Sequence, residues 1–174
     1  ICSPALDDRC GIAAILYALS QLDAETLPCS VSVLFSAQEE LGERGAKIAA
    51  YTIQPDIALA VDVSFGRANE EAPEKCGSLG GGAMIGISPS LSAEVSRDLK
   101  NVAETEQIPW QPEVMAGTTG TNADQFSVPR GGVKACTVSI PLRYMHTPAE
   151  VIALSDVTAT GDLLAAYLRG CKTC

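Results

Sequence analysis

Short apolar runs of two kinds alternate along this chain, and that alternation restricts its fold more than any other feature. Val31–Phe35, Ile57–Val61 and Lys134–Ile140 are compact and rich in β-branched residues. They read as strands buried on both faces. Ala83–Ile87 and Gln111–Met115 are weaker strands of the same type. Between them the apolar residues recur at helical spacing. Ile12, Ile15, Leu16, Leu19 and Leu22 make one stripe, and Leu91, Val95, Leu99, Val102 and Ala103 make another on a helix over Ser92–Gln107. Gly45–Tyr51 and Asn122–Phe126 read as short helices, and Ser155 or Asp156 caps a last helix through Leu168. Asn69–Gly82, Ala116–Thr121 and Pro141–Pro148 read as loops or irregular chain. The pattern predicts an α/β three-layer sandwich: a mixed, mostly parallel sheet with helices on both faces. Sheets of this kind place their chemistry in the crevice beyond the carboxyl ends of the strands.

At 174 residues the chain is about one domain. Its net charge of −9 argues against nucleic acid or an anionic membrane as partner. No apolar run nears the ~18 residues of a membrane span. Seven cysteines at irregular spacing suggest a reducing compartment, the cytoplasm, with thiols rather than disulfides. Cys10, Cys29, Cys76 and Cys136 read as small apolar residues. Cys171-x-x-Cys174 lacks a second pair and reads as a frayed tail, not a zinc or redox motif. Trp110 is expected to pack at a strand start.

Four acidic or imidazole positions fall where the crevice should be. Asp7-Asp8 feeds the first helix. Glu39-Glu40 follows Val31–Phe35, Asp62 ends Ile57–Val61, and His146, the one histidine, follows Lys134–Ile140. Each has a plainer reading: helix cap, solvated acidic turn, strand-end turn, hydrogen-bonded histidine. Together they form a ligand set of carboxylate oxygens and imidazole nitrogen suited to a divalent cation such as zinc or cobalt. Adjacent residues of an extended chain point apart, so Glu39 and Glu40 divide naturally into a general base and a ligand.

Five ordered blocks carry a specific resemblance. Asp7-Asp8-Arg9-Cys10-Gly11, Gln38-Glu39-Glu40-Leu41-Gly42, Ala60-Val61-Asp62-Val63, Gly120-Thr121-Asn122-Ala123 and Arg143-Tyr144-Met145-His146-Thr147-Pro148 are together similar to the glutamyl aminopeptidase, or tetrahedral aminopeptidase, family of dinuclear metallopeptidases. Some of its members carry an endoglucanase or cellulase label. The resemblance implies a cytoplasmic, metal-dependent aminopeptidase that removes N-terminal residues from peptides. It implies two divalent ions, zinc or cobalt, at an intact site. Asp7 would bridge them, Glu40 and His146 would complete one site, and Asp62 would ligate the other ion. Glu39 would be the general base, and Asp8 would follow the bridge through a cis peptide. Gly120, Thr121, Asn122 and Ala123 would shape the substrate pocket. Peptide substrates and a homo-oligomer of the full-length protein are the partners it implies.

The same resemblance marks departures. Asn122 stands where relatives often have Asp, and Gly80-Gly81-Gly82 replaces an expected Gly-Lys-Gly. No histidine precedes Asp7, whereas relatives take a ligand from an upstream His-x-Asp, and the small inserted β domain is absent. Residues 1–174 therefore read as a single partial catalytic domain lacking its N-terminal part. One ion keeps three protein ligands and the other keeps Asp7 and Asp62, so one or no ion is expected in this chain. A catalytically incomplete remnant is the alternative. A glycoside hydrolase would follow only from the old label, and few aromatic residues are present to support it.

Overall fold

The computed structural model describes residues 1–68 and 72–171. It is a mixed α/β structure built on a six-stranded sheet. The strands are β1 (Cys2–Ser3), β2 (Ile57–Phe65), β3 (Ala83–Ile87), β4 (Trp110–Val114), β5 (Lys134–Arg143) and β6 (Glu150–Ile152). The helices are α1 (Leu6–Ser20), α2 (Arg44–Ile53), α3 (Ala93–Thr105), α4 (Asn122–Phe126) and α5 (Leu154–Arg169). β5 is the spine. β2 pairs with it in parallel along its length, from Ile57 opposite Lys134 to Phe65 opposite Leu142. β3 meets β5 antiparallel at Ser139 and Val138 and carries β4 in parallel outside it. β6 joins at Leu142 and Arg143, and β1 lies beyond it. The two long ladders are parallel and the three short ones antiparallel.

The α3 stripe packs as read, but α1 buries a different face. Ile12 and Leu16 of the expected stripe are exposed, and Ile15 and Leu22 are partly buried. The small residues Cys10, Gly11, Ala14 and Ala18 turn inward, where the close approach of α5 leaves room for little else. Val95, Leu99 and Ala103 of α3 are buried with Ile85, Val138 and Leu163. Ala14 and Cys10 of α1 pack with Val63, Ile140 and Val157. Helices α1 and α5 approach closely at Gly161, where a Cβ would lie 2.6 Å from the Tyr17 ring. Ser92 caps α3, its hydroxyl accepting from the Val95 N–H. Trp110 opens β4, with the Lys100 ammonium over its ring. Cys10 and Cys136 are buried, in keeping with a small apolar role. Cys174 lies outside the described residues. No described helix is long and apolar enough to cross a membrane.

Further sequence expectations need correction. Neither Ser155 nor Asp156 caps the last helix: α5 begins at Leu154 with Ala153 at its N-cap position and no side-chain cap, and Asp156 accepts the Gly80 and Gly82 N–H groups instead. Val31–Phe35 is not a buried strand: it joins no ladder among the described residues, and Val31, Val33 and Phe35 are exposed. A strand needs a neighbour's backbone, and β2 pairs only with β5 among the described residues. Asp62 does not end its strand; β2 runs on to Phe65 because its partner runs on too. Pro141 does not break β5. The Leu142 carbonyl accepts from the Gly66 N–H on the β2 side, so Pro141 faces the other edge. There it falls in the gap between Ser139, paired with β3, and Arg143, paired with β6, where no ladder bond is needed. The stretch Pro141–Pro148, read as irregular, thus begins as strand through Arg143, and β6 follows just beyond it.

Candidate metal centre

Asp7 and Asp8 lie where β1 runs into α1. Both have non-helical backbone angles, and the peptide between them is cis. Regular helix begins only after Asp8, whose Oδ1 accepts the Gly11 N–H at 2.9 Å, the bond expected of an N-cap residue. A Cβ on Gly11 would lie 2.3 Å from the Asp8 carboxylate, so the glycine leaves room for that cap. The plain reading of a capped helix start therefore holds for Asp8, while Asp7 does something else.

Asp7 Oδ2 lies 3.2 Å from His146 Nε2, and Glu40 Oε1 lies 3.4 Å from the same nitrogen. Asp7, Glu40 and His146 can each offer one ligand atom within 4.8 Å of the others. The side chains of Glu40 and His146 are largely exposed and that of Asp7 is mostly covered. Glu39 and Glu40 occupy a short 3-10 turn, Glu39–Leu41, entered through Gln38 at φ +61° and left through Gly42 at φ +93°. His146 sits at φ +60° in the turn between β5 and β6. Burial and the charge of Glu40 raise the Asp7 carboxyl above its usual range, with His146 pulling the other way. Glu39 is raised by burial and by Glu40, Glu43 and Asp7.

Asp62 and Asp8 form a second, inner pair and are not members of the three-residue group. Asp62 is 9% exposed and accepts the Val63 N–H at 2.8 Å. Burial, Glu39, Asp7 and Glu113 push it up to about 7. Burial and Asp62 push Asp8 up to about 8. Each shift is driven by loss of water and by like charge, the pattern of a functional site.

The Gly120–Ala123 loop is rigidly built. Gly120 has φ +67°. Thr121 is buried and caps α4 through the Ala123 N–H, and Ala123 is fully buried. Asn122 Nδ2 donates to Ser36 Oγ at 3.1 Å, while its Oδ1 is buried without a hydrogen bond. The loop is thus tied to the chain that leads into Glu39. The Gly80–Gly82 turn is held by Asp156, which accepts the N–H groups of Gly80 and Gly82.

Sequence reasoning missed two acidic residues. Glu113 on β4 is 7% exposed and accepts from Ser139 at 2.7 Å and Thr137 at 3.3 Å. Ser139 faces Asp62 in the ladder. Glu150 on β6 is 2% exposed and accepts backbone N–H groups from both Asp7 and His146. Glu113 lies within Gln111–Met115, which reads as a strand, and an acid buried on a strand must find donors; that was the one available signal. Glu150 falls in a stretch with no strand reading and carries no such cue.

Two carboxylates and an imidazole within mutual reach suit a borderline divalent cation. The raised Asp8 and Asp62 carboxyls alongside are acids whose ionised forms a cation would stabilise. The residues present therefore fit such an ion.

Residues 1–163 match the M42 glutamyl aminopeptidase family. The lysyl aminopeptidase of Pyrococcus furiosus is 33% identical over 170 residues, covering 98% of this chain and 49% of that protein. An aminopeptidase from the archaeon Desulfurococcus kamchatkensis superposes with a TM-score of 0.91 at 35% identity, covering 98% and 49%. A TET peptidase of Pyrococcus horikoshii that can assemble into a tetrahedron or a large octahedral shell gives 0.82 at 29% identity, covering 97% and 50%. The chain spans about half the length of the relatives it matches.

Proposed function

We propose that this chain, which belongs to the M42 glutamyl aminopeptidase family, carries the water-activating part of a metal-dependent aminopeptidase that removes N-terminal residues from peptides. What supports this most is the meeting of Asp7, Glu40 and His146, with Glu39 adjoining Glu40 in the chain. Asp7, Glu40 and His146 would hold one divalent cation, zinc or cobalt, and Asp7 with Asp62 would contribute to a second. The chemistry such ions supply is that of a Lewis acid, which polarises a carbonyl and makes water acidic near neutral pH. Glu39 is the general base: its raised carboxyl can take a proton from water and return it to the leaving amine. Asp8 caps α1 and fixes the chain at Asp7. The Gly120–Ala123 loop, including Asn122, would line the pocket for the substrate's N-terminal side chain. Residues 1–174 would be one partial catalytic domain of a cytoplasmic protein. The assemblies of the Pyrococcus horikoshii relative support a homo-oligomer for the full-length protein.

The test is hydrolysis of aminoacyl p-nitroanilides with zinc or cobalt added, alongside Glu39→Gln. That substitution should lower turnover by about 10²–10⁴-fold and leave cation affinity unchanged. Full activity in Glu39→Gln would remove the general-base assignment.

A second reading has its own observation. Asp7, Glu40 and His146 are the sole three-donor group among the described residues, and Asp62 stands apart from them. On this reading the chain on its own is catalytically incomplete: it would bind one cation and turn nothing over. Cation binding without hydrolysis by the unsubstituted chain would favour this reading, and hydrolysis would exclude it.

A further inference from the structure

We propose that Glu150 is the positioning residue of this site: its buried carboxylate ties the backbones of Asp7 and His146 to one another and so sets the spacing of two ligands that lie far apart in sequence. The inference rests on the reading of Asp7, Glu40 and His146 as cation ligands. Glu150 opens β6, opposite Ser3 of β1 and beside the end of β5. From there its two oxygens reach in two directions. Oε2 accepts the N–H of Leu6 at 2.7 Å and of Asp7 at 3.1 Å. Oε1 accepts the N–H of His146 at 3.0 Å. An ionised carboxylate accepts and never donates, so it matches three converging N–H groups.

Both segments need such a tie. Asp7 precedes the first regular turn of α1, and neither it nor Asp8 has helical backbone angles. On the other side, Tyr144 and His146 both lie at φ near +60°, a region side chains rarely adopt without outside support. One carboxylate, 2% exposed, supports both. It does so without touching the side-chain atoms that would bind the ion. An outer residue that orients ligands in this way governs metal affinity.

Asp156 supplies a control. It is equally buried and accepts two backbone N–H groups, but on the Gly80–Gly82 turn. Zinc affinity should fall about 10–100-fold in Glu150→Gln, whose amide NH₂ would oppose an N–H donor. It should stay at the unsubstituted value in Asp156→Asn, although both variants lose stability. Glu150→Asp keeps the charge but is one methylene shorter; it should fold and show an intermediate loss. Without any metal, NMR hydrogen exchange should show the Leu6, Asp7 and His146 amides protected in the native chain. They should lose protection together in Glu150→Gln, while Gly80 and Gly82 keep theirs. Native-like zinc affinity in Glu150→Gln, or independent exchange of the Asp7 and His146 amides, would overturn the clamp. Failure of the native chain to bind zinc would overturn the ligand assignment instead, and the amide measurement would still decide the clamp.

Discussion

Asp7 and Asp8 are consecutive residues with opposite surroundings. Asp7 joins Glu40 and His146 in a group open to solvent on two of its three members. Asp8 turns inward, caps α1, and shares a water-poor environment with Asp62. The outer group carries an imidazole that can offset its acids. The inner pair is relieved mainly by hydrogen bonds, from the Gly11 N–H and the Cys10 thiol to Asp8 and from the Val63 N–H to Asp62. Like charges placed together away from water destabilise a fold until a cation or a proton neutralises them. The same sequence step therefore separates a place that collects donor atoms from a place that stores electrostatic tension.

That contrast has its largest expected consequence in the dependence of stability on pH. Asp62 at about 7 and Asp8 at about 8 both sit above the ordinary aspartate value of about 3.9 that an unfolded chain would show. Between those limits the folded protein binds more protons than the unfolded one, so stability falls as pH rises. Below pH ~4 the two carboxyls are protonated in both states and contribute nothing. The metal-free protein should accordingly melt lower at pH 8 than at pH 5, by about 2–4 °C for each kcal/mol involved. The raised Asp7 and Glu39 act in the same direction. Added zinc should reverse the trend, because cations bind the deprotonated carboxylates and stabilise the state that holds them. Melting curves at the two pH values, with and without chelator, check both halves. A flat metal-free profile would mean that the inner pair carries no such tension.

Asp62→Asn removes the charge of one member of the inner pair. The amide keeps an oxygen for the Val63 N–H and loses the charge. The metal-free variant should gain stability relative to the native protein as pH rises, by about 2–3 kcal/mol more at pH 8 than at pH 5. Denaturant titration at both values reads this directly. Equal destabilisation at the two values would show that the carboxylate is needed for packing and not penalised for its charge.

The sequence was informative where a side chain's chemistry is local and silent where a partner decides. Asp7, Glu40 and His146 lie in blocks whose residue types announce a ligand set, and the structure brings those three together. The strand Ala83–Ile87 and the helix Asn122–Phe126 were read with their observed ends, since each is bounded by glycine or threonine turn signals. Val31–Phe35 and Lys134–Ile140 looked alike, yet one is exposed and the other is the spine of the sheet. Their intrinsic preference for strand is similar. What differs is whether a neighbouring backbone is there to pair, which no local pattern records. Glu150 escaped notice for a related reason: its three donors come from residues that are close in space, two of them more than 140 positions away.

Glu40 gives the smallest expected change in stability and so isolates the outer group. Its side chain is 65% exposed, and replacing an exposed acid seldom moves a fold by more than about 0.5 kcal/mol. Glu40→Gln should thus melt within about 1–2 °C of the native protein in the absence of metal at pH 5 and at pH 8, the relief of Asp7 and Glu39 from its charge being small at so exposed a site. Zinc affinity should nonetheless fall by about 10-fold or more, since a neutral amide is a much weaker donor to a divalent ion than a carboxylate. The pairing of a nearly unmoved melting curve with a weakened zinc isotherm is what an exposed ligand requires, and it is the opposite of Asp62→Asn at pH 8. If Glu40→Gln instead shifts the metal-free melting point as Asp62→Asn does, the two carboxylate environments are not distinct, and the division between a donor-collecting outer group and a strained inner pair fails.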